Sequence, residues 1–330
     1  MSTLITGAGL IGCQTAALLA ARGEPVVLLD LAPQPEHIAS VLPLAKVTSE
    51  AGNVSDRAGL LALMQRHRIT QVVHTAAALS MSIRREPALA ADVNFLGTVN
   101  LLEAARSLGL RRLVCASSTT VYYPIFHRPH SQPITEDFAF HSVSERPGSL
   151  YAASKLAGEF FAQHYAQTYG LSIAVLRYSA VLGLWAGPNH SVPGRLMAEL
   201  LGQGAGSGPI DIRDPLLMWR GGEDFIDARE VARANLAALD APALPSCVYT
   251  IASGRMARFA DFVEAARQLQ PGRQIDHAPL PDTGFAGFAH AREVPFDLSR
   301  ARAELGFEAR HDLMESLRAA QWACRAHQGL

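Results

Sequence analysis

Leu4-Ile5-Thr6 runs into Gly7-Ala8-Gly9-Leu10-Ile11-Gly12, and an Ala/Leu-rich stretch to Arg22 leads on to Val26-Val27-Leu28-Leu29-Asp30. This is an apolar strand, a glycine-rich turn that opens a helix, and a second apolar strand ending in an acid. Gly7 allows the tight turn, Gly9 lets a pyrophosphate approach the backbone, and Gly12 lets helix and strand pack closely. The first N–H groups of the helix and the positive end of its dipole then face the phosphates. A carboxylate at Asp30 accepts hydrogen bonds from a ribose 2′-hydroxyl and repels a 2′-phosphate. No Arg or Lys follows Asp30 until Lys46, so NAD is favoured over NADP.

The alternation continues outward from this unit. Residues 71–74, 113–116 and 173–177 read as short apolar strands, and 88–108 and 150–169 as helices. Strands alternating with helices predict an α/β Rossmann fold, a doubly wound parallel sheet covered on both faces. Beyond Gly183 the chain becomes loop-rich at 202–209, and further helices are predicted at 228–239, 259–269 and 312–327. The expected division is a dinucleotide-binding domain over 1–180 and a smaller substrate-binding lobe over 181–330, partly interleaved with it. Residues 122–148, with four prolines, are expected to form a loop over the site.

Bulk properties exclude several classes. A net charge of −1 over 330 residues gives no electrostatic footprint for nucleic acid or an anionic membrane. No apolar run approaches the roughly 20 residues of a membrane span, and the immediate start of a strand leaves no room for a signal peptide. Cys13, Cys115, Cys247 and Cys324 are scattered without a CxxC pair, which suits free thiols in a reducing cytoplasm. His127 and His130 flank Arg128-Pro129 and are expected in solvent rather than on a metal.

Ser118, Tyr151 and Lys155 form a candidate catalytic set. Ser118 lies just after a predicted strand, at the end where ligands of parallel sheets lie. Tyr151 and Lys155 are four apart on a predicted helix and so share a face. A phenol titrates at roughly 10 in water, and a neighbouring ammonium favours its phenolate. Tyr151 is expected as the proton-moving group, Ser118 as the hydrogen-bond partner of a substrate oxygen, and Lys155 as a contact to the nicotinamide ribose.

The chain resembles the extended short-chain dehydrogenases/reductases of the NAD-dependent epimerase/dehydratase family. The likeness runs through Gly52-Asn53-Val54, His74-Thr75-Ala76-Ala77, Val93-Asn94-Phe95-Leu96-Gly97-Thr98, Ser117-Ser118-Thr119-Thr120-Val121-Tyr122, Tyr151-Ala152-Ala153-Ser154-Lys155, Leu176-Arg177-Tyr178, Asp224-Phe225-Ile226-Asp227 and Glu304-Leu305-Gly306-Phe307. It implies that Asn53 and Val54 touch adenine, that Thr75, Ala76 and Ala77 line the cofactor groove, and that Asn94 supports the pyrophosphate side. The cofactor residues expected are thus Gly7, Gly9, Leu10, Ile11, Gly12, Asp30, Leu31, Asn53, Val54, Thr75, Ala76, Ala77, Asn94, Tyr151, Lys155 and Tyr178. A homodimer through the two long helices is implied as well.

Departures from the family pattern bear on the substrate. Thr119-Thr120 replaces the acidic pair of dehydratases, so sugar dehydration is not expected. Ala180 stands where a phosphate-side Asn is usual, Glu223 where an Arg would grip a diphosphate, and Tyr123 replaces a usual Gly. Arg220 offers a nearby substitute cation. Ser80, Ser82, Asn189, His190, Trp219, Arg220 and Arg292 are candidate substrate contacts. The leading expectation is an NAD-dependent dehydrogenase acting on a secondary alcohol of a small, polar, sugar-like or sugar-acid substrate. A nucleotide-sugar 4-epimerase is the alternative, and a non-enzymatic NAD sensor a third.

Overall fold

A computed structural model of the chain describes residues 2–125, 132–137, 149–202, 208–289 and 291–328. In chain order the strands are β1 (Ser2–Thr6), β2 (Val26–Asp30), β3 (Thr48–Ala51), β4 (Ile69–His74), β5 (Arg112–Ser118), β6 (Ile173–Tyr178), β7 (Ala180–Leu182), β8 (Ile210–Ile212), β9 (Glu223–Asp227), β10 (Val248–Ile251), β11 (Met256–Ala257) and β12 (Ile275–His277). The helices are α1 (Leu10–Ala21), α2 (Pro35–Ala39), α3 (Arg57–Arg66), α4 (Ser80–Arg85), α5 (Gly97–Leu108), α6 (Leu150–Tyr169), α7 (Val192–Leu200), α8 (Ala228–Asp240), α9 (Phe259–Leu269), α10 (Ser299–Leu305) and α11 (Leu313–Gln328).

The main sheet is parallel throughout, in the order β10-β6-β5-β4-β1-β2-β3. Its strands are continuously apolar because helices cover both faces. One face carries α1, α8 and α10 around Leu28, Val114, Leu176 and Tyr249; the other carries α3, α5 and α6 around Leu4, Val72, Leu102 and Val175. The order reverses at β1, whose neighbours are β2 and β4. Thr6 pairs with Leu29 and with His74, so the carboxyl ends of these strands meet at one crevice.

The later part of the chain is not a separate layer. The strand β10 pairs with β6, and α8 packs on α1, so both return to the nucleotide-side sheet. The smaller lobe is built on β7, β9 and β11, on β8 with β12, and on α7, α9 and α11. Its core gathers Trp219, Phe225, Phe259, Phe262 and Phe285.

One helix departs from expectation. The stretch predicted as helix over 88–108 is a π-helix at Ala90–Leu96 that continues into α5. The widened turn buries Asn94 and lets its amide bond both the N–H and the carbonyl of Ala78. Of the predicted loop at 122–148, residues 122–125 and 132–137 are described; Ile134 bridges to Phe296, and Glu136 accepts from the Thr250 N–H at 2.9 Å. The remainder of that loop, with His127 and His130, lies outside the described residues, as do the Cys324 and Tyr123 side chains.

Candidate active site

One cleft of about 1350 Å³ runs along the carboxyl ends of the main sheet and under the smaller lobe. At the nucleotide end, Gly7 has φ +90°, and a Cβ there would lie 2.7 Å from the Ala76 backbone nitrogen. A Cβ on Gly12 would collide with the Gly7 carbonyl oxygen, whereas one on Gly9 would meet nothing within 4 Å. Thus Gly7 and Gly12 close the turn, and Gly9 leaves the helix N-terminus open to the cleft. The first turn of α1 carries no acid that would compete with a phosphate.

Asp30 is held by the turn it faces. Its carboxylate accepts from the Ala8 N–H at 2.8 Å and from the Ala32 N–H at 3.1 Å. Asn53 and Val54 line the same end, and Asn53 Oδ1 accepts from the Ser55 N–H at 2.9 Å. Thr75, Ala76, Ala77, Leu10, Ile11, Leu31 and Tyr178 also line the cleft. Asn94 lies below it, joined to Ala78 and to Ser154 Oγ, so it braces the wall rather than lining the cleft. These groups fit an adenosine ribose, a pyrophosphate and a nicotinamide taken in that order along the cleft.

The three candidate catalytic groups converge. The Tyr151 hydroxyl is hydrogen-bonded to Ser118, whose Oγ also lies 2.8 Å from Thr120 Oγ1. The cap of α6, Ser149 Oγ accepting from the Ala152 N–H, sets the helix start and with it the rotation of Tyr151. Lys155 is buried, donates to the Ala116 carbonyl at 3.0 Å, and stands 5.9 Å from the Tyr151 ring centroid. Burial pushes the Tyr151 phenol up to about 12, against the pull of the Ser118 hydrogen bond. Burial also lowers Lys155 to about 8, with Cys115 and Glu159 acting the other way. His74 lies nearby; burial and then the Lys155 cation push it down to about 3, so it is neutral at pH 7.

Beneath this set lies a network with no counterpart among the expected residues. Arg177 and Glu159 form an ion pair at 0 and 1% side-chain exposure, and Glu159 also accepts from Ser117 Oγ. Arg177 donates further to the Tyr122 hydroxyl at 2.9 Å and to the Glu136 carbonyl at 2.7 Å. The end of β5, the middle of α6 and β6 are thereby tied together directly under Ser118.

The expected substrate contacts divide. Ser80, Ser82, Asn189 and His190 line the cleft. Trp219 does not: it is 1% exposed and packs edge-on against Phe259, Phe262 and Phe285, so it is core. Arg220 is an exposed surface residue 3.5 Å from Asp282, and it supplies no cation to the cleft. Arg292 is buried against the Phe296 ring and ion-paired to Glu223. That pair corrects the expectation for Glu223: its carboxylate lines the cleft with a guanidinium behind it, rather than as an uncompensated charge. Burial raises the Glu223 pKa, and Arg292 opposes that rise.

Sequence reasoning did not find His37, Trp185 and the 285–288 segment, all of which line the cleft. They come from α2, the connection after β7 and the connection after β12, far apart in the chain, and no local spacing marks them. Among the described residues no group of three His, Cys, Asp or Glu could hold a metal ion, and no helix is long and apolar enough to cross a membrane.

Residues 3–252 match the model of the NAD dependent epimerase/dehydratase family. The chain belongs to that family. It is an enzyme of the extended short-chain dehydrogenase/reductase type, and its cofactor is NAD. UDP-glucuronate 4-epimerase 3 of Arabidopsis thaliana is 29% identical, over 99% of this chain and 77% of the relative. The UDP-glucose 4-epimerase of Thermus thermophilus, solved in complex with NAD, superposes with a TM-score of 0.79 at 28% identity, covering 98% of this chain and 99% of that one. An L-threonine dehydrogenase from Cupriavidus necator, in its holo form, gives 0.77 at 26% identity over 98% of this chain and 99% of its own.

Proposed function

We propose that this enzyme is a 4-epimerase of a nucleotide sugar rather than a net dehydrogenase. The observation that carries this reading is the continuous cleft. At about 1350 Å³ it exceeds the roughly 300–1,000 Å³ of a single-ligand pocket and continues past Tyr151 to Glu223 and 285–288, room for a second nucleotide-sized ligand. The full-length likeness to UDP-sugar 4-epimerases supports it, and the Glu223–Arg292 pair removes the charge that argued against it.

In this reading the cofactor residues named above hold NAD, with Asp30 toward the adenosine ribose. Bound NAD supplies the hydride acceptor and donor and, when oxidised, a positive ring in the pocket. Tyr151 takes the proton of the sugar hydroxyl and returns it after the sugar has presented its other face. Ser118 holds the reacting oxygen through that exchange. Lys155, while protonated, favours the phenolate of Tyr151 and so offsets the effect of burial. The reading includes a homodimer and a cytoplasmic setting; support for the dimer is the outward face of α6, where Phe160 and Phe161 are exposed.

One observation favours a second reading, a dehydrogenase of a small polar alcohol. Among the described residues lining the cleft, Arg84 is the single Arg or Lys, whereas a diphosphate favours several donors. The experiment is incubation with NAD and UDP-sugars, or with free sugars, sugar acids and hydroxy amino acids, followed by proton NMR and NADH absorbance. Interconversion of a UDP-sugar without net NADH supports the epimerase. Stoichiometric NADH from a small alcohol, with the UDP-sugars unchanged, overturns it.

A further inference from the structure

Between β7 and α7 the chain crosses from the smaller lobe to the nucleotide end of the cleft. Gly183 has φ +155°, and a Cβ there would lie 2.7 Å from Leu10 Cδ2 and 3.2 Å from Ala228 Cβ. The backbone therefore runs against the first residue of α1, where the open helix N-terminus faces the cleft. Two residues on, the Trp185 ring meets His37 of α2, with centroids 5.6 Å apart and planes tilted by 59°. Trp185 packs on the same core as Ile11 and Val41. The Ala186 N–H reaches Ser40 Oγ at 3.4 Å, and Ser40 in turn donates to the His37 carbonyl at 2.6 Å. Gly187 lies so close under the indole that no Cβ fits there.

The segment is thus fastened at three points to elements on the far side of the cleft: Leu10, His37 and Ser40. Trp185 and His37 both line that cleft, as does Asp30. Their chemistry suits the middle of a dinucleotide. An indole offers a broad apolar face and one N–H donor, so it can cover a ribose and still bond an oxygen of the neighbouring pyrophosphate.

We propose that residues 183–188 form a strap over the cofactor, clasped by Trp185 on His37, that holds the ribose and pyrophosphate of NAD and slows release of the cofactor. A ligand under this strap leaves only when the Trp185–His37 contact opens, so the strap acts on the dissociation rate. The inference rests on the NAD site alone and not on the substrate. A cofactor that stays bound through many turnovers suits an enzyme that returns the same hydride, and the strap supplies a physical reason for it.

The test is NADH release from the purified full-length protein, followed by nicotinamide fluorescence after mixing with excess NAD. W185A is expected to release NADH about tenfold faster, and H37A about threefold faster. Release within about twofold of wild type in the folded variants overturns the strap. Thermal melting of each variant establishes folding. Should W185A not fold, H37A decides the matter, because its side chain is only partly buried. No sugar is present in this measurement, so failure of the epimerase reading leaves its result standing.

Discussion

At the scale of single residues, Tyr151 should dominate the chemistry. Y151F keeps the ring and the packing but removes the proton carrier. Turnover should fall by about 10²–10⁴, the usual worth of a positioned acid-base group, while NADH binding persists. A variant that turns over at the wild-type rate would remove Tyr151 from the mechanism. Lys155 gives a prediction in pH. Burial lowers it from 10.5 to about 8. Between those values the unfolded chain binds the extra proton, so this group makes the fold more stable as pH rises. K155M lacks that dependence. Its stability relative to wild type should therefore decline by on the order of 2 kcal/mol between about pH 7.5 and about pH 10. Urea unfolding at both values checks this, and a difference that does not change with pH would mean that Lys155 is not buried as a charge. These residues were legible because their spacing is local: a glycine turn, an acid closing the next strand, a Tyr and a Lys one helical turn apart. Trp219, Arg220 and Arg292 were misjudged because polarity and position in the chain do not show which way a side chain faces. The partner that neutralises Glu223 is 69 residues away, and no spacing announces it.

At the scale of elements, strand and helix periodicity located most of the sheet, and 150–169 and 259–269 have the bounds the sequence predicts. The π-helical stretch Ala90–Leu96 was not legible, since its cause is tertiary: Asn94 is turned inward to hold Ala78. The same holds for the tie between β5, α6 and β6. Glu159 and Arg177 belong to separate periodic segments, and their apolar neighbours masked a buried ion pair. Breaking such a pair from one side strands a charge. E159A should cost about 3–5 kcal/mol in urea unfolding, whereas E159L/R177M, which removes both charges, should cost much less than the sum of its single variants. Additive losses would show that the pair is not coupled. The tie also explains how Ser118 and Tyr151 keep their registry although they lie on different elements.

At the scale of the whole molecule, the sequence could indicate a doubly wound sheet but not that β10 would return to its edge, nor that one cleft would join the two lobes. Both depend on how distant segments dock. The remaining question is the outward surface of α6. Ala153, Phe160, Phe161, His164 and Thr168 are exposed, with Ala157 partly so, and their spacing puts them on one stripe of the helix. Phe160 and Phe161 are 46 and 41% exposed, and Phe161 stacks edge-on against Phe95. Two adjacent exposed phenylalanines on a helix whose other face carries the catalytic set are an unusual surface for a monomer, and a second copy of the same stripe is a self-complementary cover for them. The alanines let two such helices approach closely. F160E/F161E places like charges against each other across that contact. In sedimentation velocity the wild type should run as a dimer and the variant as a monomer that still binds NADH. A wild-type monomer at micromolar concentration, or a variant that still sediments as a dimer, would assign the exposed face of α6 some other role.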